Sequence, residues 1–262
     1  MRTFVIVGIS AFAASALAGD VIGYSINTNA NDHLWEINLN TGVATDLGKV
    51  AFSDGEGLTF DDSGNLYTIG GSTDEFWDIT VLPGSLVGAT GDRDGSGAGL
   101  EFYNGTMYNL NGAEGISSLY TINVGTGAAT LVGSSTIFGD NLAVDSAGNA
   151  YSADWMFRDA LYSVDLADGS QSLIGGLNLG DVAQEVGSAF DATDQLWMIV
   201  SGGRTYTVDT TTGEATFVAN IVDVTGAPLF GFEGLAINPV PEPATMAALT
   251  LGMGILAIRR RR

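Results

Sequence analysis

The chain has 262 residues, 30 Asp and Glu against 9 Lys and Arg, a net charge of −21 and no cysteine. The missing thiols exclude a disulfide-stapled scaffold, thiol catalysis and thiolate metal sites. So few cations make nucleic acid an unsuitable partner, because phosphate binding needs Lys and Arg.

The N-terminus reads as a secretory signal peptide, residues 1–18. Met1-Arg2 is a short positive region, Thr3 to Ala14 is apolar, and Ala16-Leu17-Ala18 has the small residues a signal peptidase needs. The apolar stretch is too short for a membrane span, which takes about 20 residues. The body, residues 19–239, is then more acidic than the whole. Between residues 20 and 240 stand 29 acidic and 4 basic residues. Such charge favours solubility and divalent cations, calcium first among them.

The body is repetitive. Leu34-Trp35-Glu36-Ile37 recurs as Phe76-Trp77-Asp78-Ile79, Leu119-Tyr120-Thr121-Ile122, Leu161-Tyr162-Ser163-Val164 and Thr205-Tyr206-Thr207-Val208. The aromatic positions lie 42, 43, 42 and 44 residues apart. Turn pairs follow, as at Thr41-Gly42 and Thr126-Gly127. A second series carries aromatics at 24, 67, 108, 151 and 197 and is preceded by turns such as Asp61-Asp62-Ser63-Gly64. Short alternating strands between glycine turns give an all-β fold. A four-strand unit repeated about every 43 residues gives a propeller. The innermost strand missing from the first unit is supplied by residues 232–238, which pair beside 21–48. The expectation is five four-stranded blades, closed by pairing the N- and C-terminal segments, with a sixth only if a long loop hides strands. The motif Leu-Tyr-x-Ile-Asp-x-x-Thr-Gly resembles those of surface-layer and NHL-like propellers.

One face should carry the short turns and the other the long, unequal loops 48–57, 90–99, 133–141, 175–187 and 219–233. Function concentrates on loops held by a rigid frame. On that face Glu56, Asp140 and Glu233 occupy matching places at the start of the innermost strand. Carboxylates around one opening suit a hard cation, or an acid/base pair for hydrolysis. The Glu-Gly pattern is similar to that of metal-dependent propeller lactonases. Asp92, Asp94 and Ser96, followed by Gly97, read as the first half of a calcium loop whose usual final glutamate is absent, with Tyr103 in its place. Ten of the twelve Trp and Tyr fall on the repeat, and Trp155 does not. Trp155-Met156-Phe157-Arg158 would form a surface for a sugar ring or a partner protein, with Trp155, Phe157 and Arg158 in contact. His33, the single histidine, is expected between second and third strands. No G-x-S-x-G elbow accompanies it, so no catalytic residue is assigned.

The C-terminal segment, residues 240–262, has three parts. Pro241-Glu242-Pro243 is followed by an apolar run from Ala244 to Ile258 and by Arg259-Arg260-Arg261-Arg262. As a helix the run would rise roughly 22 Å, short for a span of about 30 Å but workable with thinning. The arginines would hold the C-terminus in the cytoplasm. This order resembles the PEP-CTERM sorting signal of Gram-negative bacteria. The resemblance implies handling by signal peptidase and exosortase, transient inner-membrane anchoring, and delivery to the cell surface or an exopolysaccharide matrix. The expected role is a non-enzymatic binding platform for a glycan or surface protein, with a metal-dependent hydrolase as the alternative.

Overall fold

The structure, a computed structural model, describes residues 19–28, 32–70, 73–91, 98–113, 115–180 and 185–238. Two expected elements, the signal peptide and the 244–258 helix, lie outside these residues. Among the described residues no helix is long and apolar enough to cross a membrane.

The described chain is all β, arranged as five sheets around one axis. The first blade runs from inside to outside as β21 (Phe232–Ile237), β1 (Ile22–Asn27), β2 (His33–Asn38) and β3 (Val43–Lys49). The others follow in chain order. The second is β4 (Gly55–Phe60), β5 (Leu66–Gly70), β6 (Glu75–Asp78) and β7 (Ser85–Ala89). The third is β8 (Ala98–Tyr103), β9 (Thr106–Ala113), β10 (Ile116–Ile122) and β11 (Ala129–Ser135). The fourth is β12 (Ala143–Val144), β13 (Ala150–Asp154), β14 (Ala160–Val164) and β15 (Gln171–Gly176). The fifth is β16 (Val186–Phe190), β17 (Leu196–Val200), β18 (Arg204–Val208) and β19 (Ala215–Asn220).

The ring closes as the repeat arithmetic requires. β21 pairs antiparallel with β1, Gly23 opposite Ile237 and Asn27 opposite Phe232. The Ser25 hydroxyl reinforces the seam by donating to the Gly234 carbonyl at 2.7 Å. One feature exceeds the expectation of four strands. A two-residue strand, β20 (Val222–Asp223), pairs in parallel with the outer edge of β3. It thereby ties the fifth blade's exit loop to the first blade and covers an exposed edge.

Five separate clusters of buried side chains form the core, one in each gap between neighbouring blades. Ile26 and Leu34 of the first blade meet Leu58, Leu66 and Ile79 of the second, for example. This division explains the repeat. Each blade must present apolar residues on both faces, so the aromatics recur at fixed places.

The short turns have a mechanical cause. The Asp61 carboxylate accepts from the Ser63 and Asn65 amides at 2.8 and 2.9 Å and from the Asn65 side chain at 2.8 Å. Asp145 and Asp191 hold the equivalent turns in the same way. These bonds pull the aspartates' pKa values down at Asp61 and Asp191 against some burial. The Thr-Gly turns carry a second duty. The Asp168-Gly169 turn seats its backbone so closely on Gly133 that a β-carbon there would stand 1.9 Å from the Asp168 carbonyl oxygen.

Candidate functional site at the loop-side mouth

The axis of the ring is nearly closed. Gly57, Gly99, Gly187 and Gly234 surround a void of about 10 Å³, no more than a single water would need. The innermost strands meet backbone to backbone here. A β-carbon on Gly99 would lie 2.3 Å from the Asn141 carbonyl carbon, and one on Gly234 would lie 1.9 Å from the Glu56 carbonyl oxygen. Gly234 also has a φ of +64°, a region that disfavours side chains. The pinch separates the loop-side mouth from a cavity on the short-turn side.

At the mouth, Asp54, Glu56 and Glu233 can each offer a carboxylate oxygen, all within 4.8 Å of one another. Two are the expected residues Glu56 and Glu233. Asp54, missed from the sequence, is brought in by its own backbone, which takes a left-handed φ of 64° just before β4. Asparagine and aspartate tolerate that conformation better than most residues. Glu185, also at positive φ (42°), closes on Glu233 from the start of β16.

Burial and mutual repulsion dominate the electrostatics. Burial pushes the Glu56 carboxyl well above the usual range, and Glu233, Asp54, Asp140 and Glu185 push the same way. Burial also lifts Glu233 to about 8, with the Glu185 carboxyl adding to the rise and the Thr28 hydroxyl opposing it. That hydroxyl donates to Glu233 Oε1 at 2.7 Å, whereas the buried Oε2 has no hydrogen-bond partner. No cation among the described residues offsets this group: the only ion pair is between His33 and Asp46, at 2.8 Å.

Asp140 stands apart from the three-carboxylate group. Its Oδ2 accepts from the Trp155 indole N–H at 2.7 Å, and its Oδ1 is buried without a partner. Burial raises its pKa to about 7 even though the indole bond pulls the other way. Trp155 is half-buried and packs edge-on against Phe138, 5.9 Å between ring centres. Phe157 also packs edge-on against Phe138, at 5.5 Å, and stays 59% exposed. Arg158 is exposed and turned onto the Tyr162 hydroxyl. The odd tryptophan and the channel carboxylate, singled out for different reasons, thus touch.

His33 is corrected in place. It opens the third strand β2, opposite Asn27 and Lys49, instead of sitting in the preceding loop. Its Nδ1 faces Asp46 on the outer strand, 2.8 Å from Oδ2. Asp92, Asp94 and Ser96 lie outside the described residues, as do Pro241, Glu242, Pro243 and Arg259 to Arg262.

Residues 239–262 match the PEP-CTERM protein-sorting motif. The chain therefore carries the address of an exported Gram-negative protein, one that exosortase processes. No curated protein matches the chain by sequence. Among solved structures the body is similar to a chain in a nidogen/laminin complex, at 12% identity and TM-score 0.56, over 84% of this chain and 81% of that one. It is also similar to a Bacteroides thetaiotaomicron protein of unknown function, at 16% identity and TM-score 0.57, over 86% and 63%. A putative gluconolactonase aligns at 10% identity and TM-score 0.50, over 84% and 90%. Identities this low establish the propeller fold and nothing about its chemistry.

Proposed function

We propose that this exported propeller is a non-enzymatic surface or matrix protein that binds a glycan or another surface protein through a cation-loaded mouth. One observation carries the reading: Asp54, Glu56 and Glu233 each offer an oxygen, and these lie within 4.8 Å of one another. Like charges so placed are unfavourable unless protonated or bridged by a cation. The donors are all hard oxygens, which suits calcium over zinc or copper. The partnerless Glu233 Oε2 is a ready ligand atom. Calcium bound there would supply positive charge at the mouth, and with it a point of attachment for ligand oxygens. Exposed Met156 and Phe157 beside Asp140 would supply apolar contact for a sugar face or a partner. Export would begin with removal of residues 1–18 and continue with transient inner-membrane anchoring through 244–258, delivering the body to the cell surface or an exopolysaccharide matrix.

The test is retention of the full chain, in a neutral detergent, on immobilised exopolysaccharide with calcium and with chelator. Calcium-dependent retention that is lost on Glu56→Gln and weakened on Phe157→Ala supports the reading. Retention indifferent to both would end it.

A second reading is a metal-dependent hydrolase at the same mouth. It is favoured by two carboxyls raised to about 7 and about 8, the range in which a side chain can both take and give a proton. Lactone hydrolysis that needs metal and is lost on Asp140→Asn, with the fold intact, would establish it over the first.

A further inference from the structure

A feature the mouth reading leaves unused lies at the other end of the axis. A cavity of about 420 Å³ opens among the short turns, below the glycine pinch. Its walls include Phe60, Tyr103 and Phe190, and among the described residues no Lys, Arg or His lines it. At its base stands Glu101, on the innermost strand of the third blade.

Glu101 breaks the repeat. Two residues beyond each inner-ring position, the other four blades carry Thr59, Ala143, Ala189 and Ala236. All four are small and buried. Only the third blade places a long acidic chain there, and the small residues leave it room. Glu101 is half-buried as a residue, and its carboxyl is deep enough for burial alone to hold it well above the usual carboxylate range. No hydrogen bond or ion pair reaches that carboxyl from the described residues. Packing of the repeat has no use for such a group, whose carboxyl opens onto the cavity and is only partly hydrated there.

The chemistry of the walls narrows the ligand. A divalent metal would need six to eight oxygens. Of the other carboxylates that line it, Asp61, Asp145 and Asp191 spend oxygens on turn amides and Asp194 on Ser146, which leaves Glu101 and the exposed Asp62 at the rim. A deep carboxylate among aromatic rings, inside an acidic rim, matches an organic cation, whose charge meets the carboxylate and whose methylenes meet the ring faces. We infer that this cavity binds a small alkylammonium ligand, with Glu101 as its counter-ion and Phe60, Tyr103 and Phe190 as its walls. The inference is independent of the mouth reading. The chain leaves the cavity wall at Ile237, two residues before the sorting motif begins at 239.

The experiment is calorimetric titration of the full chain, in maltoside detergent at pH 7, with n-butylammonium and with its neutral isostere n-butanol. The amine should saturate one site, and the alcohol should bind at least ten-fold more weakly. Glu101→Gln keeps the shape and should weaken amine binding at least ten-fold without changing the far-ultraviolet spectrum. Should that variant misfold, the amine/alcohol comparison on the native chain still decides. Equal binding of amine and alcohol, no amine binding up to tens of millimolar, or displacement of the amine by stoichiometric calcium would each overturn the proposal.

Discussion

The Trp155 indole N–H donates to Asp140 Oδ2 at 2.7 Å, joining the aromatic that departs from the repeat to a carboxylate that follows it. Among the described residues it is the only bond that the buried Asp140 carboxyl receives from another side chain, since Oδ1 has no partner there. It links the loop after β13 to the loop before β12, and so sets the fourth blade's share of the mouth.

Removing that donor should be costly. Trp155→Phe keeps the ring against Phe138 and leaves the Asp140 carboxyl without its indole bond. A buried acceptor left unpaired costs about 1–3 kcal/mol, more when charged. The loss, read by thermal or urea denaturation, should be larger at pH 8 than at pH 5. Asp140 itself should titrate above its value of about 7, because the indole bond is the larger of the two hydrogen bonds that lower it. An unchanged Asp140 titration would show that the bond is not formed in solution.

The mouth carboxylates should make the metal-free protein less stable as pH rises. Asp140 and Glu233 have folded pKa values raised to about 7 and about 8, above their values of 3.8 and 4.5 outside the fold. The folded state therefore holds more protons than the unfolded state between about pH 4 and pH 8. Their favourable contribution is complete below pH 4 and is lost as pH climbs through the folded values. With chelator present, the melting temperature should fall from pH 5 to pH 8. Glu233→Gln should flatten the fall and raise stability at pH 8 by a few kcal/mol, on the order of 1.4 kcal/mol for every tenfold difference in proton affinity that the substitution abolishes.

Calcium should reverse that trend. Added at about a hundred times its dissociation constant, a ligand specific to the folded state contributes about 2.7 kcal/mol. The gain should be largest near pH 8, where the cation need not displace protons. It should vanish in Glu56→Gln and in Glu233→Gln, and should survive Asp140→Asn, because Asp140 lies outside the convergent group. A calcium shift that survives both glutamine variants would place the ion elsewhere, with Asp92 the next residue to change.

Ring closure rests on the inner glycines. Gly234→Ala would set a β-carbon 1.9 Å from the Glu56 carbonyl oxygen at a φ of +64°, so the first and second blades would have to part. The expected cost exceeds about 3 kcal/mol, in the range of severe overpacking and strain combined. Gly64→Ala provides the control. It also has positive φ, +81°, but nothing lies within 4 Å of the added carbon, so only a backbone penalty of about 1 kcal/mol applies. Equal melting temperatures for the two variants would mean that the inner strands do not approach as closely as described.

Much of the fold was legible in the sequence because a propeller is local. Four of the five blades are built from consecutive strands and each packs mainly on its neighbours, so the demands return every 42 to 44 residues and print themselves as Trp35, Trp77, Tyr120, Tyr162 and Tyr206. Even the closing seam could be read, since residues 232–238 supply the strand that 21–48 lacks. The mouth was only partly legible. Glu56, Asp140 and Glu233 share a repeat position, which marked them as a ring. What the tertiary structure decided is which of them converge. The left-handed turn at Asp54 brings a fourth carboxylate to Glu56 and Glu233, while Trp155 draws Asp140 aside. Distances across a ring are set by how all five blades close and by backbone angles in loops that obey no repeat. For the same reason the departure of Glu101 from the repeat stands out only when Thr59, Ala143, Ala189 and Ala236 are gathered around the axis.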